Sequence, residues 1–170
     1  MSGWSPACLF QFLYAVFCLL PTSLTSGQSF LNVKAVKHIL VVDDEAPIRL
    51  LLEKILQSAG YRVTSVADGT AAIKAAREDP PDLAIVDLTM PGIDGFTVCS
   101  MFKRTRSFKA PILVLSGRIS QKDIQAALRT GADAFINKPV EREKLLAAVA
   151  EWLARAEQRA ADGDGSASRP

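Results

Sequence analysis

From His38 onward the chain alternates short apolar runs with longer stretches whose apolar residues recur at helical spacing, and few folds accept that alternation. The run His38 to Val42, HILVV, is continuous and rich in β-branched residues, as expected of a strand buried on both faces. Two acids, Asp43 and Asp44, follow it. Beyond them Ile48, Leu51, Leu52, Ile55, Leu56 and Ala59 form one helical stripe, and Gly60 supplies a stop signal. The same pair recurs along the chain. Strands are predicted at Arg62 to Val66, Leu83 to Val86, Ile112 to Leu115 and Ala134 to Ile136. Helices are predicted at Thr70 to Glu78, near Gly95 to Arg104, at Gln121 to Thr130, and around the stripe Leu145, Leu146, Val149, Trp152 and Leu153.

Strands alternating with helices imply a parallel sheet, because each crossover returns over a sheet face with right-handed sense. The expected architecture is a three-layer α/β/α sandwich around a five-stranded parallel sheet. In such a sheet the loops leaving the carboxyl ends of the strands gather along one edge, and sites form there. Asp43 and Asp44 follow the first strand, Asp87 the third, Ser116 the fourth and Lys138 the fifth, so all five residues belong to one edge.

Taken singly, each has a plain explanation. An acid pair after a strand caps a helix, Asp87 caps a loop, Ser116 before Gly117 starts a turn, and Lys138 is solvated. Their joint placement favours a site. Converging carboxylates repel one another unless a cation compensates, and an all-oxygen cluster open to water suits Mg²⁺. Lys138 adds a positive charge able to meet a phosphate oxygen.

The motifs VVDDE (Val41 to Glu45), DLTMPGIDG (Asp87 to Gly95), LSG (Leu115 to Gly117) and GADAFINKP (Gly131 to Pro139) stand in the order and spacing of two-component response-regulator receiver domains, which the chain resembles from about Lys37 to Arg155. The resemblance implies a flavodoxin-like strand order, 2-1-3-4-5, with Asp87 as phospho-acceptor. It implies that Asp43 and Asp44 hold Mg²⁺, Asp44 directly, with the backbone carbonyl of Thr89 completing the protein's share of the ligands. Lys138 matches the family's lysine, with a cis bond to Pro139, Ser116 matches the hydroxyl that meets the phosphoryl group, and Phe135 the switch aromatic. The output surface would include Ile124, Leu128 and Phe135. Thr89 and Gly117 depart modestly from the commonest family residues, which bears on the lifetime of the phosphorylated form.

These features imply a signalling switch that is not an enzyme toward a separate substrate. It would receive phosphate from a histidine kinase or a histidine phosphotransfer protein and act through a protein target. Only about fifteen residues follow Arg155, too few for a DNA-binding output domain, so a stand-alone regulator is expected. With 20 basic and 18 acidic residues and a net charge of +2, the chain has no excess that suggests nucleic-acid binding. The alternatives are a flavodoxin-like ligand-binding module, disfavoured because no glycine-rich phosphate loop follows the first strand, and a membrane-tethered adaptor.

Three cysteines, Cys8, Cys18 and Cys99, show no metal-ligand spacing, and the lone His38 in an apolar run reads as structural. Residues 1–36 form an apolar extension. Ala7 to Leu20 is apolar apart from Gln11, nearer a signal-peptide core than a membrane span of roughly 20 residues, yet no Lys or Arg precedes it. Translated upstream sequence from a misassigned start is the leading expectation, ahead of a signal or an anchor. The receiver-like domain is expected over residues 37–157 and a disordered tail over 158–170, with a cytoplasmic location, since exported protein would lose any ATP-fed phosphodonor.

Overall fold

The computed structural model describes residues 35–105, 107–117 and 129–164. Five strands, β1 (His38–Val42), β2 (Arg62–Val66), β3 (Leu83–Asp87), β4 (Ile112–Ser116) and β5 (Ala134–Asn137), form one parallel sheet in the order β2-β1-β3-β4-β5. The described helices are α1 (Ala46–Ser58), α2 (Gly69–Glu78), α3 (Gly95–Arg104) and α4 (Arg142–Asp164). Residues 129 and 130 are helical, whereas most of the predicted helix Gln121 to Thr130, with Ile124 and Leu128, lies outside the described residues. So do residues 1–34 of the apolar extension and residues 165–170 of the tail.

Strand alternation divides the core in two. Ile39, Val41, Ile85 and Leu113 face one side and pack with Leu52 and Leu56 of α1 and Leu145 and Val149 of α4. Leu40, Val42, Val86 and Val114 face the other and pack with Ala72 of α2 and Val98 and Phe102 of α3. β1, β3 and β4 are buried along their whole length, which is why they read as continuous apolar runs. The edge strand β2, RVTSV, is only partly covered and correspondingly mixed.

Helix ends are set locally. Asp68 and Asp94 cap α2 and α3, their carboxylates accepting from the amides of Ala71 at 2.8 Å and Thr97 at 2.7 Å. α1 ends in a left-handed Gly60 (φ 87°), with the Gly60 amide donating to the Gln57 carbonyl and the Tyr61 amide to that of Leu56. The α1 stripe is narrower than the sequence suggests. Ala59 lies past the helix end as its C-cap, and Leu51, at the edge of the stripe, is exposed.

α4 runs to Asp164, past the boundary at 157 and into the segment expected to be a disordered tail. Composition favours the start of the extension, since Gln158, Arg159, Ala160 and Ala161 are good helix formers. Side chains also tie the later turns down. Glu157 pairs with Lys37 at 3.1 Å, and the guanidinium groups of Arg155 and Arg159 lie 4.6 and 5.8 Å from the Trp152 ring centroid.

Candidate phosphoryl-acceptor and cation site

The carboxyl edge of the sheet brings together the acids that the sequence had singled out. Asp43 leaves β1 fully buried, Asp87 ends β3 at 3% exposure, and Asp44 is half-buried beside them. One carboxylate oxygen from each of Asp43, Asp44 and Asp87 lies within 4.8 Å of the others. Neither Asp43 nor Asp44 caps α1. The N-cap residue is Glu45, which makes no side-chain cap bond, and the Asp43 Oδ1 instead accepts from the Glu45 amide at 2.9 Å. The helix-cap explanation for the acid pair is thereby excluded.

Lys138, delivered by the turn after β5, reaches across this edge. Its Nζ lies 2.8 Å from Asp43 Oδ2, 3.0 Å from Asp87 Oδ2 and 3.4 Å from Glu45 Oε1. The bond to Asp87 has hydrogen-bond geometry; the approach to Asp43 is an ion pair off the bonding direction, so Asp43 Oδ2 is buried without a hydrogen-bond donor. Burial pushes the Asp87 carboxyl above the usual aspartate range, and the hydrogen bond and charge of Lys138 only partly counter it. Burial pulls the Lys138 ammonium down, but Asp43 and Asp87 outweigh it and its net pKa is raised. A buried oxygen lacking a donor, beside a carboxylate reluctant to ionise, matches what a hard, oxygen-seeking divalent cation would satisfy. The residues present fit Mg²⁺.

The β3–α3 loop aims Asp87 through its own anchors. Leu88 and Met90 tuck into the core, Gly92 turns with φ 81°, and the exposed Thr89 sits between, its backbone amide bonding the Asp87 carboxylate. Gly95 opens α3 directly against the Asp87 backbone: an added Cβ would stand 2.1 Å from the Asp87 carbonyl oxygen and 2.7 Å from the Leu88 Cα. Backbone cannot swing aside as a side chain can. Gly95→Ala should therefore cost about 1–3 kcal/mol and slow modification of Asp87, which thermal melts and phosphorylation rates would report.

Ser116, buried, ends β4 opposite Asn137 of β5, and the Lys138 amide donates to the Ser116 carbonyl at 2.8 Å. The Lys138–Pro139 bond is cis. Phe135 is half-buried on β5 and packs against the core on the α2–α3 face. All the predicted site residues thus lie at or near one edge, with Phe135 further down its strand.

Two partners had no sequence signal of their own. Glu45 joins the Lys138 contacts, and Arg49, in the first turn of α1, donates from Nη1 to the carbonyls of Asp43 at 2.7 Å and Asp44 at 2.9 Å. Arg49 bonds main chain rather than side chain, so residue type and spacing give no hint of it. By fixing the loop that presents both acids it acts as a positioning residue. Arg49→Met is expected to weaken Mg²⁺ binding by about tenfold, measurable by calorimetric titration.

Among the described residues no helix is long and apolar enough to cross a membrane. The response regulator receiver domain family matches residues 39–150. Curated relatives include the transcriptional regulatory protein AfsQ1 of Streptomyces coelicolor, 38% identical over 73% of this chain and 54% of its own length. The alkaline phosphatase synthesis regulator PhoP of Bacillus subtilis is 38% identical over 71% of this chain and 50% of its own. The chain therefore spans about half the length of these relatives. Among solved structures, Vibrio cholerae chemotaxis protein CheY4 matches with a TM-score of 0.68 at 33% identity, covering 69% of this chain and 99% of that one. The receiver domain of a Pseudomonas aeruginosa sensor histidine kinase, with magnesium coordinated in its active-site cleft, matches with a TM-score of 0.66 at 30% identity, covering 71% and 99%. From sheet order, edge chemistry and these matches together, the chain belongs to the response-regulator receiver domain family.

Proposed function

We propose that this chain is a phosphorylation switch in which Asp87 accepts a phosphoryl group from a histidine kinase or a histidine phosphotransfer protein. The observation that carries the proposal is the meeting of Asp43, Asp44 and Asp87 around an oxygen-lined opening with the Lys138 ammonium at its wall. An Asp87 oxygen attacks phosphorus, a new O–P bond forms, and the N–P bond to the donor imidazole breaks, its electron pair remaining on nitrogen. Lys138, already 3.0 Å from Asp87, meets the phosphoryl oxygens as a point charge. Asp43, Asp44, Asp87 and the Thr89 carbonyl would hold Mg²⁺, which would supply shielding for charge on those oxygens. The Ser116 hydroxyl then bonds the product, and the half-buried Phe135 responds to the rearranged loop. The chain modifies itself and acts on no separate substrate.

Output runs through a protein target, and a cytoplasmic location follows from the need for an ATP-fed donor. A second reading has its own support. The curated relatives AfsQ1 and PhoP are transcriptional regulators about twice as long as the matched region, which favours a receiver working within a longer DNA-binding protein. Promoter-fragment retardation with the phosphorylated protein, in the form its own cell makes, separates the two, since a receiver acting alone through protein contacts leaves DNA mobility unchanged.

The switch itself is tested by incubating the full chain with acetyl phosphate and reading intact mass. One phosphoryl group should add with Mg²⁺ present and none with EDTA. Addition independent of the metal would overturn the proposal. At Mg²⁺ low enough that most of the chain is metal-free, burial of Asp87 sets the pH response. Because its pKa is raised, the nucleophilic carboxylate is lost at a higher pH than for an exposed aspartate. Labelling should accordingly fall as pH drops while the protein remains folded, which rates measured across a pH series would follow.

A further inference from the structure

At the opposite, amino-terminal edge of the sheet, a groove of about 300 Å³ opens between the ends of α2 and α3. Its floor is apolar: Ile73 and Ala76 of α2, and the rings of Phe102 and Phe108, stacked 4.3 Å apart at 7°. Met101, one of the few large apolar side chains exposed in the described residues, stands at the mouth. The charged lining among the described residues is all of one sign, Arg77, Arg104 and Lys109, with no carboxylate among them.

Lys37, Arg62, Lys74, Lys103, Lys138, Lys144, Arg155 and Arg159 each have a carboxylate partner. Arg77, Arg104 and Lys109 have none among the described residues. That lack is shared with Arg49, Lys54, Arg129 and Arg142 among the described residues, but only these three cations gather at one apolar groove. Glu78 pairs with Lys74, Asp79 with Arg62, and Asp82 and Glu157 both with Lys37. Placement at helix C-termini, where the dipole favours cations, accounts for Arg77 and Arg104 one at a time. It accounts neither for Lys109, which lies outside any helix, nor for the convergence of all three around an apolar floor.

We propose that this groove binds a small organic anion with a flat, apolar body. The rings and aliphatic floor would take the body, and the three cations would take a carboxylate, sulfonate or phosphate at the rim. The volume, at the lower end of ligand-pocket sizes, suits a molecule of one or two rings rather than an extended peptide. The groove shares no residue with the acceptor site, so the inference stands or falls apart from the proposed phosphorylation.

The probe is naphthalene-1-sulfonate, with the neutral naphthalene-1-sulfonamide as control, titrated into the full chain with ¹⁵N–¹H amide shifts and calorimetry as readouts. Saturable 1:1 binding of the sulfonate is expected, with shift changes centred on Ile73 to Arg77 and Met101 to Lys109, and weaker binding of the sulfonamide. Arg77→Gln and Lys109→Gln, both exposed and without carboxylate partners, should leave the melting temperature unchanged and each weaken the sulfonate by roughly tenfold. Equal affinity for the two probes, shifts centred elsewhere, or affinity unchanged in both variants would overturn the proposal.

Discussion

Replacing Lys138 with methionine is expected to lower the melting temperature by on the order of 10 °C in metal-free buffer. Methionine keeps the length and apolar stem while removing the only cation among the described residues that pairs with the carboxylates of Asp43 and Asp87. Stripping one partner from a buried ionic group costs about 3–5 kcal/mol, and the open edge of the site argues for the lower end. Saturating Mg²⁺ should recover part of the loss, because it replaces the missing positive charge next to the same carboxylates. Labelling by acetyl phosphate should fall by about 10²–10³-fold, the usual cost of losing one group aimed at developing charge. Calorimetry with and without Mg²⁺, paired with labelling rates, checks both effects.

Asp87→Asn should act in the opposite direction on stability and abolish labelling altogether. Because burial raises the Asp87 pKa in the folded chain, its ionised form is held at a cost there that the unfolded chain does not share. The sign follows directly. Above the folded pKa the penalty is fully present, and it fades as pH falls through that value toward the ordinary aspartate range. The neutral isostere should therefore melt higher than the parent at neutral pH without metal, with the gain vanishing in acid and shrinking in Mg²⁺. Combined with Lys138→Met, it should make the lysine substitution less costly, since one of the two stranded carboxylates is then gone.

Much of this architecture was readable in residues because burial and chemistry coincide along the sheet. β1, β3 and β4 are covered on both faces, so their apolar runs are unbroken, and the polar residue that ends each run marks the functional edge. The strand ends came out one residue short at Asp87, Ser116 and Asn137, since a polar residue still holding its place in the ladder looks like a loop. α4 was cut early for a related reason. Its later turns carry no apolar stripe and are favoured by helix formers such as Gln158 to Ala161 and by pairs such as Lys37–Glu157.

Within the site, the three acids and Lys138 were legible from their positions at successive strand ends. Arg49 was not, because its partners are main-chain carbonyls, which every residue possesses. Gly95 was visible only as part of a motif, and the reason for it is a backbone approach that no spacing encodes. The basic groove at the far edge was equally hidden, since Arg77, Arg104 and Lys109 come from separate segments that only the fold assembles.

The central claim is that the acids at the carboxyl edge direct a phosphoryl group onto one particular oxygen-bearing side chain. Acyl phosphates are reduced by borohydride to an alcohol, leaving homoserine where an aspartyl phosphate stood. Peptide sequencing by mass spectrometry after acetyl phosphate, Mg²⁺ and borohydride should find homoserine at position 87 and nowhere else. Homoserine at position 43 or 44, or phosphate retained on a serine or threonine with Asp87 intact, would contradict the account.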